Sequence, residues 1–306
     1  MVLAMKAGCV LAVDAEGVAQ ITFDLPGKVN VMNDDFMAVM DEFMPHLEAK
    51  REALKGVIIG SAKRTFFAGG DLSLMGRAEE SEQAFLYAHF EKLKGFFRRL
   101  EKLLVPVVAT INGAALGGGM ELALACHHRI ALCGDDIVLG LPEVEFGILP
   151  GAGGVVRLTG LIGLDRALDY LLSGKKVNVE TALQDRIVDD LADSEAGLRE
   201  KALAWIKANQ RPLQPWDDPR RAATQEGRSQ VELSFDASPN PESPKSLAVR
   251  RIVEVARQST FLDIDSALQL ETEALIELMI RPETASLIAA FFRDRQVVRN
   301  QTAQIR

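Results

Sequence analysis

Residues 113–125, GAALGGGMELALA, place three consecutive glycines and then a glutamate inside an apolar run. Glycine destabilises a helix or strand by roughly 0.5–1 kcal/mol relative to alanine, and an unpaired carboxylate in an apolar setting is also costly. The preceding run VPVVATI (105–111) has the pattern of a buried strand, and the following ELALAC (121–126) has that of an apolar helix. The glycines therefore mark a strand-to-helix turn, whose bare N–H groups are suited to binding a developing negative charge.

Strand and helix patterns alternate along the chain around this turn. Residues 9–24 alternate in two short runs, which predicts a β-hairpin. Apolar residues at helical spacing after Asn33, and again over 86–104, predict two long helices, and GVIIG (56–60) between them predicts a buried strand. This alternation indicates an α/β fold.

Two further stretches carry the same kind of signal. FFAGGDL (66–72) follows the strand GVIIG and again bares glycine amides, so two separate turns could donate to one oxyanion. LGLPEVEFGILPGAGG (139–154) holds Glu143 among apolar residues, with Glu145 as a competitor. Two carboxyls in one apolar pocket can have separated pKa values, one serving as base and the other as acid. The alternative interpretation is that the glycines only permit tight turns and that the glutamates cap helices.

Together these stretches resemble a family signature. GAALGGGMELALAC, with AGGDL before it and LPEVEFGILPGAGG after it, is similar to the motifs of the crotonase (enoyl-CoA hydratase/isomerase) family. The motifs are long and ordered, and the resemblance covers roughly residues 8–210. The helical pattern from SPKSLAVRRIVEVARQ to AAFFRDR also resembles the linker region of multifunctional fatty-acid oxidation enzymes. The implied fold is a crotonase-like ββα spiral core with an additional C-terminal helical segment.

The resemblance implies reversible addition of water to a trans-2-enoyl-CoA, giving a 3-hydroxyacyl-CoA. The amides of Gly70 and Gly118 would hold the thioester carbonyl oxygen. Glu121 would position and deprotonate the water that attacks Cβ, and Glu143 would deliver a proton to Cα. The other implied substrate contacts are Ala68, Gly69, Asp71, Leu72 and Gly117. No metal and no cofactor are implied, since the coenzyme A thioester is itself the substrate.

Two other functions fit the same residues. A Δ3-Δ2-enoyl-CoA isomerase needs one glutamate to shuttle a proton, so the presence of both Glu121 and Glu143 favours a hydratase without excluding dual activity. The alternative from another class is a non-catalytic acyl-CoA-binding or scaffold subunit, although binding alone does not need two desolvated carboxylates.

Several other polar residues are expected to have no catalytic role. His127 and His128 lead into the predicted strand RIALC, so packing is the favoured interpretation over acid–base chemistry. Lys28, Lys63 and Arg64 could meet coenzyme A phosphates, but exposed basic side chains are usually only solvated.

Composition limits the partners and the compartment. A net charge of −8 without a basic stripe argues against nucleic acid as the main partner. The three cysteines, Cys9, Cys126 and Cys133, are odd in number and not in ligand spacing, which indicates reduced thiols. Lys6 interrupts the apolar start of the chain, and no run is long enough to span a membrane. We therefore expect a soluble, cytoplasmic protein.

The composition of the chain changes after residue 210. We expect a catalytic core at 1–210, a linker at 211–244 that holds six of the 12 prolines, and a helical segment at 245–306. No glycine follows Gly227, so a glycine-rich dinucleotide fingerprint is absent after it, and the chain is expected to be a stand-alone hydratase or a piece of a longer enzyme. The helices can fold back over the core in place of a neighbouring subunit or form an interface. A homotrimer and docking of a dehydrogenase or thiolase partner both remain open.

Overall fold

A seven-stranded mixed sheet forms the centre of the protein, for which a computed structural model describes residues 1–219 and 243–304. The strands are β1 (Val2–Lys6), β2 (Cys9–Val13), β3 (Val18–Phe23), β4 (Gly56–Ser61), β5 (Val107–Ile111), β7 (His128–Leu132) and β10 (Asp190–Ala192). They pair in the order β1-β2-β3-β4-β5-β7-β10, antiparallel as far as β3 and parallel from β3 onward. The predicted hairpin over 9–24 and the predicted strand at 56–60 are confirmed.

A second, three-stranded sheet lies where the motif-bearing stretches meet. Its strands are β6 (Ala115–Leu116), β8 (Leu139–Gly140) and β9 (Lys176–Val177), with β6 parallel to β8 and β8 antiparallel to β9. The N–H of Gly117 donates to the carbonyl of Gly140 at 2.9 Å and continues the pairing past the end of β6. This small sheet therefore sets the glycine turn beside the segment that leads to Glu143.

Eleven α-helices lie in the described ranges. They are α1 (Asp34–Lys50), α2 (Leu72–Met75), α3 (Gln83–Glu101), α4 (Gly118–Leu124), α5 (Gly154–Ile162), α6 (Leu164–Ser173), α7 (Val179–Gln184), α8 (Glu195–Ala208), α9 (Pro244–Gln258), α10 (Ile264–Met279) and α11 (Pro282–Gln304). Two 3₁₀ helices span Glu80–Glu82 and Glu143–Phe146.

The two long helices predicted from periodicity are present, with one boundary wrong. The Asn33 side chain accepts from the N–H of Phe36 and begins α1, as predicted. The second helix, α3, ends at Glu101 and not at Leu104, which has a φ of +64° and is 60% exposed. Pro106 has no N–H and restricts the residue before it, so the chain leaves the helix and extends into β5.

Both faces of the large sheet are buried. On one face the main core includes a cluster of aromatic rings, Phe23, Phe36, Phe67 and Phe97, with centroids 5.0–6.4 Å apart. On the other face α8 covers a smaller apolar cluster. A sheet buried on both sides needs nearly continuous apolar strands rather than alternating ones, which is why 56–60 and 107–111 are apolar apart from Thr110, whose hydroxyl donates to the carbonyl of Ile59.

The C-terminal helices pack on the core. Helix α9 contacts α5 and α6, α10 contacts α3 and α5, and α11 contacts the 3₁₀ helix Glu143–Phe146. The helical segment predicted after residue 244 consists of these three helices, separated by short breaks at 259–263 and 280–281. These helices therefore fold back over the core. Most of the predicted linker, residues 220–242, lies outside the described part of the chain. No helix within 1–219 and 243–304 is long and apolar enough to cross a membrane.

Candidate active site

The three motif-bearing stretches meet in one cleft. Five of the predicted site residues line it: Gly70, Asp71, Gly118, Glu121 and Glu143. Apolar side chains complete its walls: Met32, Leu74, Met75, Phe90 and Leu93. The cleft encloses about 430 Å³, including space open to solvent. A mostly apolar cleft with a few convergent polar groups has the character of a small-molecule site.

Two glycine turns converge at the floor of this cleft. A methyl group placed on Gly118 would lie 3.4 Å from the backbone nitrogen of Gly70 and 2.8 Å from Sδ of Met32. Gly118 is the first residue of α4, where backbone N–H groups have no partner within the helix. An isolated bridge between Phe67 and Ala115 joins the two turns, and another between Met32 and Gly70 ties the first turn to the segment before α1. The structure therefore brings together the two amides that the sequence indicated as donors.

Glycine is required at residue 117 by contact as well as by conformation. Gly117 has a φ of +52°, which L side chains rarely adopt, and a methyl group there would lie 2.5 Å from Oε1 of Glu143. Its backbone thus lies directly against one of the two predicted carboxyls.

The loop that carries Gly70 contributes only part of its predicted contacts to the cleft. Gly70 and Asp71 line the cleft, whereas Ala68, Gly69 and Leu72 do not. The Ala68 N–H donates to the carbonyl of Asn30 at 2.9 Å, so this part of the turn is tied to the core. Asp71 accepts from the N–H groups of Ser73 and Leu74 and caps α2, so its carboxyl also braces the loop that carries it.

Glu121, in the first turn of α4, is held by a third glycine-rich turn, residues 151–154. Its carboxyl is 3% exposed, and Oε1 accepts from the N–H of Ala152 at 2.7 Å and of Gly154 at 2.8 Å. Burial, reinforced by the charge of Glu271, raises the pKa of Glu121 to about 7, while the two amides and Lys94 oppose the rise. The hydrogen bonds favour the ionised form, which is the form a base needs.

Glu143, the first residue of its 3₁₀ helix, has a different environment. It is 8% exposed, and its Oε2 is buried with no hydrogen-bond partner among the residues that the structure describes. Burial and then the charge of Glu121 raise the pKa of Glu143 well above its usual range. A buried carboxyl that is not solvated as an anion stays protonated, which is the form an acid needs.

The sequence reasoning missed a third buried carboxyl, Glu271 of α10. It is 0% exposed and accepts from three backbone amides of the turn before α5 and the first turn of that helix, those of Gly153 at 2.7 Å, Val155 at 3.1 Å and Val156 at 3.3 Å. It also pairs with Lys94 of α3 at 3.1 Å. A signal was present, because Glu271 lies three residues after Leu268 and therefore on the apolar face of its helix.

The competing candidates lie elsewhere. Glu145 is exposed, so it does not share the buried site of Glu143. His127 accepts from the N–H of Val107 through Nδ1 at 3.1 Å, and His128 stacks on Trp205 with ring centroids 4.5 Å apart. The packing interpretation of both histidines is confirmed.

None of the basic candidates Lys28, Lys63 and Arg64 lines the cleft. Lys63 donates to the carbonyls of Leu25 and Gly27, and Arg64 is exposed. In the described ranges no group of three or more histidine, cysteine, aspartate or glutamate side chains is arranged to hold a metal ion.

The sequence matches a family model and several characterised relatives. A model described as enoyl-CoA hydratase/isomerase matches residues 14–214. The fatty acid oxidation complex subunit alpha of Shewanella loihica is 32% identical over 299 residues, covering 94% of this chain and 41% of that protein. The same subunit of Shewanella amazonensis is 34% identical over 286 residues, covering 90% and 40%. The chain therefore spans about two fifths of the length of these relatives.

The fold is similar to that of solved structures. An enoyl-CoA hydratase from Bacillus halodurans superposes with a TM-score of 0.66 at 21% identity, covering 92% of this chain and 99% of that one. An enoyl-CoA hydratase/isomerase from Mycobacterium paratuberculosis gives 0.65 at 20% identity, covering 94% and 100%. The predicted crotonase-like α/β fold with additional C-terminal helices is confirmed.

Proposed function

The chain belongs to the enoyl-CoA hydratase/isomerase family, and we propose that it is an enoyl-CoA hydratase. It adds water reversibly to a trans-2-enoyl-CoA and forms a 3-hydroxyacyl-CoA, in fatty-acid β-oxidation or a related acyl-CoA pathway. The observation that carries this proposal is the pair of buried carboxyls, Glu121 and Glu143, which share one cleft with the amides of Gly70 and Gly118. A site for acyl-CoA binding alone would not need two desolvated carboxyls.

Substrate binding places the thioester carbonyl between two backbone donors. The N–H groups of Gly70 and Gly118 hold the carbonyl oxygen and stabilise the enolate-like charge that develops on it. The loop Ala68–Leu72, with Gly69 and Asp71, contacts the adenine end of coenzyme A, and Gly117 lies beside the acyl group. The thioester itself is the substrate.

The two carboxyls then divide the proton transfers. Ionised Glu121 takes a proton from water, whose oxygen bonds to Cβ while the electron pair of the double bond moves toward Cα and the thioester oxygen. Protonated Glu143 gives its proton to Cα, so the elements of one water are added across the double bond. Glu121 ends protonated and Glu143 ionised, and proton exchange between them or with solvent restores the starting state.

The test is turnover of two kinds of substrate by the purified chain. Hydration of crotonyl-CoA and of a medium-chain trans-2-enoyl-CoA is followed as loss of the conjugated-thioester absorbance. Isomerisation of a 3-enoyl-CoA is followed in parallel as a gain in the same absorbance. We expect hydration, with kcat/KM falling as the pH drops below about 7 because Glu121 becomes protonated.

Other outcomes identify the alternatives. Conversion of the 3-enoyl-CoA without hydration would replace the proposal by an isomerase, and conversion of both would show dual activity. Binding of acyl-CoA without turnover of either would favour a scaffold subunit.

Several coarser expectations accompany the proposal. The relatives are named as alpha subunits of a fatty acid oxidation complex, which supports docking to a partner subunit, for which we propose a dehydrogenase or thiolase. A homo-oligomer such as a trimer stays a prediction. The cytoplasmic location and the division into 1–210, 211–244 and 245–306 stay predictions. Sedimentation of the purified chain, alone and mixed with candidate partners, tests the assembly.

A further inference from the structure

Helix α10 lies beyond the segment that matches the family model, yet it supplies a buried charge beside the catalytic residues. The family match ends at residue 214, and α10 begins at Ile264. Glu271, near the middle of this helix, has no exposed surface. Its hydrogen bonds reach across 115–118 residues of sequence to the turn before α5.

That turn binds two carboxyls through alternating amides. The N–H groups of Ala152 and Gly154 donate to Glu121. The N–H groups of Gly153 and Val155 donate to Glu271. Successive amides therefore point to opposite sides, and neither carboxyl can change its position without disturbing the backbone that holds the other.

We propose that Glu271 is a positioning residue for the base Glu121. Glu271 binds the amides of Gly153, Val155 and Val156 in the 152–156 turn. By holding this backbone, it orients the amides of Ala152 and Gly154 that bind the Glu121 carboxylate. This inference rests on the proposed function, in which Glu121 activates water. It gives the C-terminal helical segment a part in catalysis, through a group that acts on Glu121 and does not itself touch substrate.

The packing leaves no slack between the two carboxyls. A methyl group placed on Gly151 would lie 2.2 Å from Cδ2 of Leu275, which belongs to α10. One placed on Gly154 would lie 2.8 Å from Oε1 of Glu121. The turn is therefore a single backbone layer between α10 and Glu121, so a displacement of Glu271 is transmitted to the amides facing the cleft.

Glu271 is in turn fixed by α3. Lys94 lies 3.1 Å from its Oε1 and donates to the carbonyl of Leu268 at 2.5 Å and to Oγ1 of Thr272 at 2.7 Å. Thr272 donates to Glu91 at 2.5 Å. These three contacts of the Lys94 ammonium are all with α10, so they fix the helix that carries Glu271 against the wall of the cleft.

The charged surroundings of Glu121 determine what a substitution does. The ionisable groups on the elements around it are Glu143 of the 3₁₀ helix, Glu271 of α10, Lys94 and Glu91 of α3, Arg157 of α5, and His89 and Asp71 at the cleft. The charge of Glu271 raises the pKa of Glu121, and the amides of Ala152 and Gly154 lower it. Removing the charge and loosening the turn therefore have opposite effects.

The test uses two substitutions at residue 271. Glu271→Gln removes the charge but keeps an oxygen for the amides, so the pKa of Glu121 falls. Glu271→Asp keeps the charge but is too short to hold all three amides, so the pKa of Glu121 rises. We expect kcat to drop about 10- to 100-fold in Glu271→Asp, with KM changed less than about 3-fold, since the base is misplaced while the substrate contacts remain.

Two readouts separate this inference from the proposed function. One is kcat and KM for crotonyl-CoA hydration against pH, normalised to the folded fraction from near-UV circular dichroism. The other is the titration of the Glu121 carboxyl by ¹³C NMR, assigned by its absence in Glu121→Gln, which needs no turnover. Opposite shifts of the Glu121 titration in the two variants support positioning even if the chain proves not to be a hydratase.

The matched control is Glu277→Gln. Glu277 is on the same helix but pairs with Arg251 at 3.1 Å and is half exposed. In Glu277→Gln we expect no change in the titration curve of Glu121 or in kcat. If both variants at residue 271 leave the Glu121 titration and the kcat of the folded enzyme unchanged, Glu271 serves only stability and the inference is wrong.

Discussion

Glu121 and Glu143 are two buried carboxyls in one cleft, and their supports differ. Glu121 is held by two backbone amides of the turn before α5, and that turn is clamped from behind by Glu271 and Lys94. Glu143 sits at the start of a 3₁₀ helix with one oxygen unpartnered among the described residues. The same side chain is thus prepared as an anion in one place and as a neutral acid in the other.

In the proposed mechanism this difference assigns the base and the acid to two residues of the same type. Two backbone amides of the turn before α5 stabilise charge at Glu121, whereas at Glu143 one carboxyl oxygen has no partner among the described residues, and burial and the neighbouring anion oppose charge. Hydrogen bonding, rather than exposure, separates the two roles, because both groups are almost fully buried.

The largest expected effect is loss of turnover when either carboxyl becomes an amide. Glu121→Gln can accept the same hydrogen bonds but cannot take a proton, and Glu143→Gln cannot give one. We expect kcat for crotonyl-CoA hydration to fall about 10²- to 10⁴-fold in each. In Glu121→Gln the residual rate should lose its decline below pH 7. A variant that keeps most of its turnover would remove that glutamate from the mechanism.

The support behind Glu121 is expected to matter for stability. Lys94→Met leaves Glu271 without its buried counter-ion, so we expect the free energy of unfolding to fall by about 3–5 kcal/mol, measured by urea denaturation. Lys92→Met is the control on the same helix, because Lys92 pairs with Asp41 at the surface with both side chains half exposed. There the change should be below about 1 kcal/mol. Equal losses in the two variants would contradict the clamp.

A substitution beside Glu143 tests the other region alone. Gly117→Ala introduces a methyl group into the space of the Glu143 carboxyl and strains a positive φ, so we expect kcat to fall about 10- to 100-fold. The decline in kcat/KM below pH 7 should persist, because Glu121 is untouched. Gly95→Ala in α3 is the control, since nothing lies within 4 Å of its new methyl group. If the pH at which kcat/KM declines is shifted in Gly117→Ala, the two carboxyls are not held independently.

The smallest expected effect is a gain in the stability of Glu143→Gln that grows as the pH rises. The folded-state pKa of Glu143 is raised, so its contribution to stability is complete only below the unfolded pKa near 4.3 and is lost as the pH rises toward the folded value. Glu143→Gln removes this penalty, and its melting temperature should exceed that of the wild type by more at pH 8 than at pH 5. Glu145→Gln, at an exposed position, should show no such trend. A constant difference across pH would mean that Glu143 is ionised in the folded protein.

Much of the fold and half of the site could be predicted from local patterns. Apolar runs of strand length, helical spacing and a capping asparagine each reflect a short stretch of chain, and they predicted β4, α1 and the hairpin correctly. The end of α3 was predicted wrongly, because apolar periodicity continues to Leu104 while the backbone already turns toward Pro106. Glu121 and Glu143 were found because a carboxyl in an apolar run is locally anomalous.

By itself the sequence determined the α/β order of elements, the two glycine turns and the identity of the two carboxyls. Only the tertiary structure decided which carboxyl has hydrogen-bond donors, that Glu145 is outside the site, and that Glu271 and Lys94 stand behind Glu121. The physical reason is range: the bonds that distinguish these groups join residues 31 to 174 positions apart. Desolvation and charge coupling act through space, so they exist only once the chain has folded.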